Sequence, residues 1–193
     1  MAILNALAWV NTWILRAGRL VGWVALALMV VVILTQVFCR YVLNSALPWP
    51  DEGARFLMLW MTGLMAPSAY RWGGFVAIDM LGSALPSRLG AMLNLVLLVM
   101  SLAVLLIAVS HGYNHTMGFG GNFNSSSLVL PFDWVGLEAI KVKLRYMYGS
   151  LFLCVLLLIS VNIELLMRTV FLLINPNATL PDDDSFGVAM EAD

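Results

Sequence analysis

Charged residues are scarce in this chain: 10 Lys and Arg and 11 Asp and Glu among 193 residues, 11 % of the total, leave a net charge of −1. Soluble domains carry roughly a quarter charged residues, so a water-solvated globule is excluded, and without a basic tract so is a nucleic-acid binder. Cysteine is nearly absent. Cys39 and Cys154 both fall inside apolar runs, which argues against a disulfide framework and for simple packing. The two histidines, His111 and His115, sit four residues apart at one end of one run, so they cannot clamp a haem from opposite faces. No cysteine or carboxylate lies close in sequence to complete a zinc site, and no metal or other cofactor is expected. Nucleophile-elbow, phosphate-loop and HExxH patterns are missing, so catalysis is not expected either. Internal repeats, and charges in the middle of an apolar run, are missing as well. A chain that moved a solute by itself would need both interrupted helices around a site and buried ionisable groups.

What is present is apolar: 62 % of the residues are hydrophobic. The composition is that of an all-α integral membrane protein with a single domain. Residues 20–40, 51–70, 89–110 and 146–168 are predicted as four transmembrane helices. They are preceded by an N-terminal interfacial amphipathic helix over residues 1–19 and followed by a disordered acidic tail over 175–193. In the N-terminal segment Asn5, Thr12, Arg16 and Arg19 fall near one face, with Ile3, Leu7, Trp9, Val10, Trp13 and Ile14 elsewhere. This segment either lies in the interface plane or runs on into the first span. Gly18, Gly22 and Ala25 make a small-residue stripe that permits close helix contact. The first long apolar run exceeds a signal-peptide core and is expected to be retained.

The stretch from Trp49 to Leu81 organises the rest. Pro50 suits a first helical turn, Asp51 and Glu52 oppose the helix dipole at its start, and Arg71 does so at its end. From Asp51 to Tyr70 a helix would measure roughly 30 Å, about the thickness of the hydrocarbon core. Asp51 and Arg55 have the i,i+4 spacing of a helical ion pair, and Arg40 is close enough in sequence to reach Glu52 across the short connection. Trp60 with Met58 and Met61 reads as lipid or helix packing. Beyond Arg71 a turn-rich connection holds Asp79, exposed or paired, and ends at Leu85-Pro86.

The segment from Gly112 to Pro131 is rich in Gly, Asn and Ser and is predicted as a loop outside the bilayer. Asp133 is expected to cap a helix carrying Glu138, Lys141, Lys143 and Arg145 into the last span. Glu164 and Arg168 form an i,i+4 pair at its far end. Four spans put both termini on one side. Lys/Arg counting leaves the orientation open, because Arg16, Arg19, Arg71, Arg88 and Arg168 face one way and Arg40, Arg55, Lys141, Lys143 and Arg145 the other.

With the spans placed, the chain resembles the small membrane subunit, or DctQ-type component, of tripartite ATP-independent periplasmic (TRAP) transporters. Gln36-Val37-Phe38-Cys39-Arg40-Tyr41-Val42 is similar to the family's QVxxRY element, and Trp49-Pro50-Asp51-Glu52-Gly53-Ala54-Arg55 to its W-x-E-E-x-A-R. Trp60 follows at the family's distance. Arg71-Trp72-Gly73-Gly74, Ile78-Asp79-Met80-Leu81 and Leu85-Pro86 are similar to its R-x-G-x-H-x-x-V-D-x-L and L-P segment. The likeness covers roughly residues 20 to 110 in order. Phe75 stands where the family often has histidine, so no role for that histidine carries over, and Asp51 replaces a common Glu with the charge kept.

The resemblance implies a sodium-coupled uptake system for organic acids in the bacterial inner membrane. There a periplasmic substrate-binding protein delivers the solute to a large elevator-type subunit, and the small subunit is a non-transporting scaffold with both termini cytoplasmic. Arg40, Trp49, Asp51, Glu52, Arg55, Trp60, Arg71 and Asp79 are then the expected structural or partner-facing residues. Phe119, Asn122, Phe123, Lys141 and Lys143 would lie on periplasmic loops that add to a docking surface for the binding protein. The expected partners are therefore the large subunit, the binding protein and membrane lipids. The alternative reading is a membrane anchor subunit of a respiratory enzyme holding quinone or haem, which would require histidines on separate, facing helices. A self-assembling structural membrane protein, resting on the small-residue stripe, is a third.

Overall fold

The computed structural model describes residues 2–45, 47–72, 87–118, 122–130 and 140–174. Asp79, Phe75, Phe119 and the acidic tail lie outside the described residues. Among the described residues four helices carry the fold: α1 (Ala2–Tyr41), α2 (Pro50–Arg71), α3 (Ser87–Met117) and α4 (Arg145–Ile174). Between α3 and α4, β1 (Asn124–Leu130) pairs antiparallel with β2 (Ile140–Lys143).

α1 does not break between the predicted surface helix and the first span. Its 40 residues make one rod roughly 60 Å long. Leu4, Asn11, Leu15, Gly18, Gly22 and Ala25 are its buried positions, and their spacing alternates between three and four residues after the first heptad. That is the seam of helices packed at a shallow angle, so the N-terminal part is zipped to the bundle by the same pattern as the rest. The rod ends where Asn44 adopts φ 50°, a left-handed conformation asparagine tolerates, with Ser45 N–H bonded to the Cys39 carbonyl at 3.0 Å.

α2 starts with Trp49 as N-cap and Pro50 in the first turn, and it continues through Pro67 to Arg71. It packs along α1 on one side and α4 on the other, while α3 packs on α4. α1, α3 and α4 are each long and apolar enough to cross a membrane. α2 is less apolar because neighbouring helices cover its Gly53, Gly63, Pro67, Ser68 and Arg71. Contact between α2 and α4 is very close. A Cβ on Gly63 would lie 2.8 Å from the Ser150 carbonyl oxygen, so only glycine lets the two backbones meet there.

One sequence expectation is corrected within this helical membrane fold. Asn124–Leu130, read as a loop, and Lys141 and Lys143, read as part of a helix, lie on the paired strands β1 and β2. The reason is local, since Ile140-Lys141-Val142-Lys143 alternates β-branched and charged residues with period 2, and the helix begins only at Arg145. The third and fourth helices extend beyond the spans read within them, to Met117 and Ile174. The Thr35 hydroxyl donates to the Val31 carbonyl of its own helix at 2.8 Å.

Candidate functional site

The most elaborate polar arrangement lies where the C-terminal ends of α2 and α4 meet the N-terminal part of α1. Glu164, two thirds of the way along α4, is fully buried. A buried carboxylate stays ionised only if cations and donors replace its water. Arg71, the last residue of α2, supplies one: its Nη2 is 2.7 Å from Glu164 Oε1, with both side chains sealed off. Arg168, one turn on along α4, supplies the second at 2.9 Å to the same oxygen. Asn11 of α1 donates to the other oxygen, Oε2, at 2.8 Å.

The donors are themselves held. Arg71 Nη1 donates to Thr12 Oγ1 at 2.8 Å, and Ser160 Oγ donates to Asn11 Oδ1 at 2.6 Å. Three helices therefore close on one carboxylate, which accepts from two guanidiniums and one amide.

Two residues deeper along α4, Asn162 is also fully buried. Its amide nitrogen donates to Tyr70 Oη at 2.5 Å and to Ser101 Oγ at 2.7 Å, and the two hydroxyls lie 3.1 Å apart. Tyr70 and Arg71 are adjacent, so on α2 they point apart, Tyr70 towards Ser101 of α3 and Arg71 towards α1. With Asn162 and Glu164 between them on α4, the two layers tie all four helices together. The contacts of Glu164 thus join α1, α2 and α4 at one point and lock them together.

The sequence-predicted residues are distributed differently. Arg71 is at the centre of the lock. Arg40 is exposed at the opposite end of the bundle, its guanidinium 6.0 Å from the Tyr41 ring. Asp51 and Arg55 are exposed there too, while Trp49 and Glu52 are half-buried. Trp60 is half-buried with its ring 6.2 Å from Phe56, and its indole Nε1 is buried without an acceptor among the described residues. On the hairpin side, Asn122 Oδ1 accepts from Arg145 at 2.9 Å, and the Phe123 carbonyl accepts from Leu144 N–H at 3.0 Å, which fixes the hairpin to the start of α4. The Phe123 ring is exposed, as is Lys143, which pairs with Asn124 across the strands; Lys141 pairs with Val129. The free thiol of Cys154 is buried and that of Cys39 half-buried.

Sequence reasoning found the Glu164–Arg168 pair and singled out Arg71, but it did not bring them together. It passed over Asn11, Ser160, Asn162 and Tyr70. The signal for Asn11 was present: it is the polar member of a seam whose other buried positions are Leu4, Leu15, Gly18, Gly22 and Ala25, and a polar residue at a seam position demands a partner.

No individual curated protein matches the chain at a significant level. The family described as tripartite ATP-independent periplasmic transporters, DctQ component, matches residues 29–171. That range runs from within α1 to the last turn of α4 and includes Arg71, Asn162, Glu164 and Arg168. A membrane bundle whose buried polar groups lock helices together, matched over most of its length, belongs to the DctQ family of small TRAP transporter components.

Proposed function

We propose that this chain is the non-transporting scaffold of a sodium-coupled, binding-protein-dependent uptake system for organic acids in the bacterial inner membrane. In this reading all four helices span the bilayer and both termini are cytoplasmic. One observation carries it: Glu164, the one buried carboxylate among the described residues, is already engaged by Arg71, Arg168 and Asn11. Coupling to an ion would require a carboxylate that can exchange its partners. A locked bundle instead offers a fixed body against which a larger subunit can move its transport domain.

Arg40, Trp49, Asp51, Glu52 and Arg55 lie towards the other end of the same bundle and Trp60 midway along α2, where they would hold the first two spans in register and meet the large subunit. Asn122, Phe123 and Lys143, with Phe119 and Lys141, would extend the surface offered to the periplasmic binding protein.

The test is to tag the acidic tail in the native host, extract in mild detergent and identify co-purifying proteins by mass spectrometry. A stoichiometric, much larger polytopic subunit, encoded beside a secreted binding protein, is the expected result. Recovery with a haem- or flavin-bearing complex would overturn the reading. Arg40→Ala is expected to impair assembly and uptake together; intact assembly and uptake would remove Arg40 from the interface.

A further inference from the structure

The apolar runs of the four helices do not lie at one level of the bundle. Asn11 bonds to Ser160 and Glu164, which flank Asn162, and Asn162 bonds to Tyr70 and Ser101. Asn11, Tyr70, Ser101 and Asn162 therefore mark one cross-section through α1, α2, α3 and α4. With the direction from Asn11 to Arg40 taken as upward, heights from that section follow at about 1.5 Å per residue. On α3 the uncharged run 89–110 is centred between Val99 and Met100, about 2 Å below Ser101. On α4 (run 146–163) and α2 (run 56–70) the centres lie about 11 Å above the section. On α1 (run 20–39) the centre lies about 28 Å above it.

The centres climb in the order in which the helices pack, α3 on α4, α4 on α2 and α2 on α1. Neighbouring helices lie roughly 8–10 Å apart, so three steps carry the row sideways by at most about 30 Å. The same steps raise the centre by about 30 Å. A plane through all four centres is therefore inclined to the cross-section by no less than about 45°. A bilayer cutting the bundle at right angles cannot serve both ends of the row. Centred on α3, it would leave α1 to climb about 21 Å past the level of Met117, with Leu28, Val31, Leu34 and Phe38 exposed outside the hydrocarbon. It would also set Arg71 and Glu164 close to the midplane, where charge is most costly. An inclined bilayer meets every run at its centre and moves Glu164 roughly 10 Å from the midplane towards the headgroups. Helix length agrees: crossing about 30 Å of hydrocarbon at 45° takes about 28 residues, and α1, α3 and α4 have 40, 31 and 30.

We propose that the bundle sits obliquely in the bilayer, its helices inclined by about 45° to the membrane normal, with lipid acyl chains covering a slanting apolar belt from the lower half of α3 to the upper half of α1. This rests on the reading that all four helices span the bilayer. Lipid is the occupant the belt fits, because every helix contributes exposed apolar positions to it: Val96 on α3, Leu156 on α4, Leu59 on α2 and Val31 on α1.

Spin labels test it in the full-length chain, with whatever subunits co-purify, reconstituted into phospholipid nanodiscs. Leu34→Cys on α1 and Val104→Cys on α3, both exposed positions, are labelled one at a time in a Cys39→Ala/Cys154→Ala background. Measured from the common cross-section the two positions differ in height by about 30 Å, yet each lies equally far past the centre of its own run. Power saturation with oxygen and a nickel chelate gives their depths. Both labels are expected inside the hydrocarbon and less than about 15 Å apart in depth, half the upright value. A larger difference, or a label reached by the nickel chelate, would overturn the proposal. A Leu34 label shielded from both relaxants would do so too, by giving the upper half of α1 to a protein partner. Val30→Cys and Met100→Cys, beside the two run centres and also exposed, are a second pair with the same criterion if the first does not assemble. The spanning reading is checked separately with an impermeant thiol reagent, which should reach Asn5→Cys and Leu43→Cys from opposite faces of membrane vesicles. Labelling of both from one face would overturn that reading, whatever the depths of the spin labels.

Discussion

The two ends of this bundle carry similar numbers of charged side chains and use them in opposite ways. At the end where α2 and α4 finish, Arg71 and Glu164 are buried and bonded to each other and to α1. At the end where α2 begins, Arg40, Asp51 and Arg55 are exposed. Taking charges out of water is costly unless each finds a partner of good geometry, and removing one partner then strands the rest. Charges left at a membrane boundary keep their water and contribute little by themselves. The first end therefore determines how the helices sit together, and the second remains available to face other molecules.

The largest effect should come from breaking the buried end. Glu164→Ala would leave the buried Arg71 and the half-buried Arg168 without their carboxylate and should destabilise the fold by roughly 3–5 kcal/mol, read as a lowered thermal midpoint in detergent. Asp51→Ala and Arg55→Ala should move that midpoint little. Comparable losses from all three would erase the distinction between the ends.

Helix contact comes next. Gly63→Ala puts a methyl 2.8 Å from the Ser150 backbone oxygen, which cannot swing aside, and a cost of about 1–3 kcal/mol is expected from forced separation of α2 and α4. Gly22→Ala meets the Met65 Cγ at 2.6 Å instead, the middle of a flexible side chain, and should cost less. Equal costs would mean that the α2–α4 approach is no tighter in practice than the α1–α2 approach.

A smaller effect is expected from the second polar layer. Asn162→Leu removes the amide that joins Tyr70 and Ser101 and should cost roughly 0.6–1.7 kcal/mol, from the average to the largest value for hydrogen bonds between membrane helices. A double-substitution cycle of Asn162→Leu with Ser101→Ala gives the coupling directly; zero coupling would mean the layer adds nothing to helix association. The smallest change has the opposite sign. Nothing lies within 4 Å of a Cβ placed on Gly149, so Gly149→Ala should stabilise α4 by about 0.5–1 kcal/mol, visible as a small rise in thermal midpoint. A fall would show that the start of α4 is covered in the assembled protein.

Much of the architecture was legible from the residues alone. Long uncharged runs mark α1, α3 and α4, and Pro50 with Asp51, Glu52 and Arg71 marks both ends of α2, because a bilayer constrains length and polarity so strongly. The unbroken α1 was harder to read. Its N-terminal part has Trp, Asn, Thr and Arg around the helix, and the seam through Leu4, Asn11, Leu15 and Gly18 stands out only when burial is known. The β hairpin was missed because Asn124-Ser125-Ser126-Ser127 resembles a loop, and the partner strand Ile140–Lys143 is short enough for its period-2 pattern to be taken for a basic helix start.

Composition, run length and motif order thus determined by themselves that the chain is a helical membrane protein of the DctQ kind, since each is a one-dimensional property imposed by the bilayer or carried by the family. Tertiary structure decided which charges matter. Asn11, Arg71 and Glu164 are separated by tens of residues in sequence, and nothing local distinguishes Arg71 from the equally terminal Arg40. Arg71 becomes part of a lock because helix packing excludes water around it and brings Glu164 to 2.7 Å. Arg40 keeps its exposure because α1 ends at the edge of the bundle. Whether a charge is held or left free to recognise something else depends on the neighbours that remove its water, and those neighbours come from other helices.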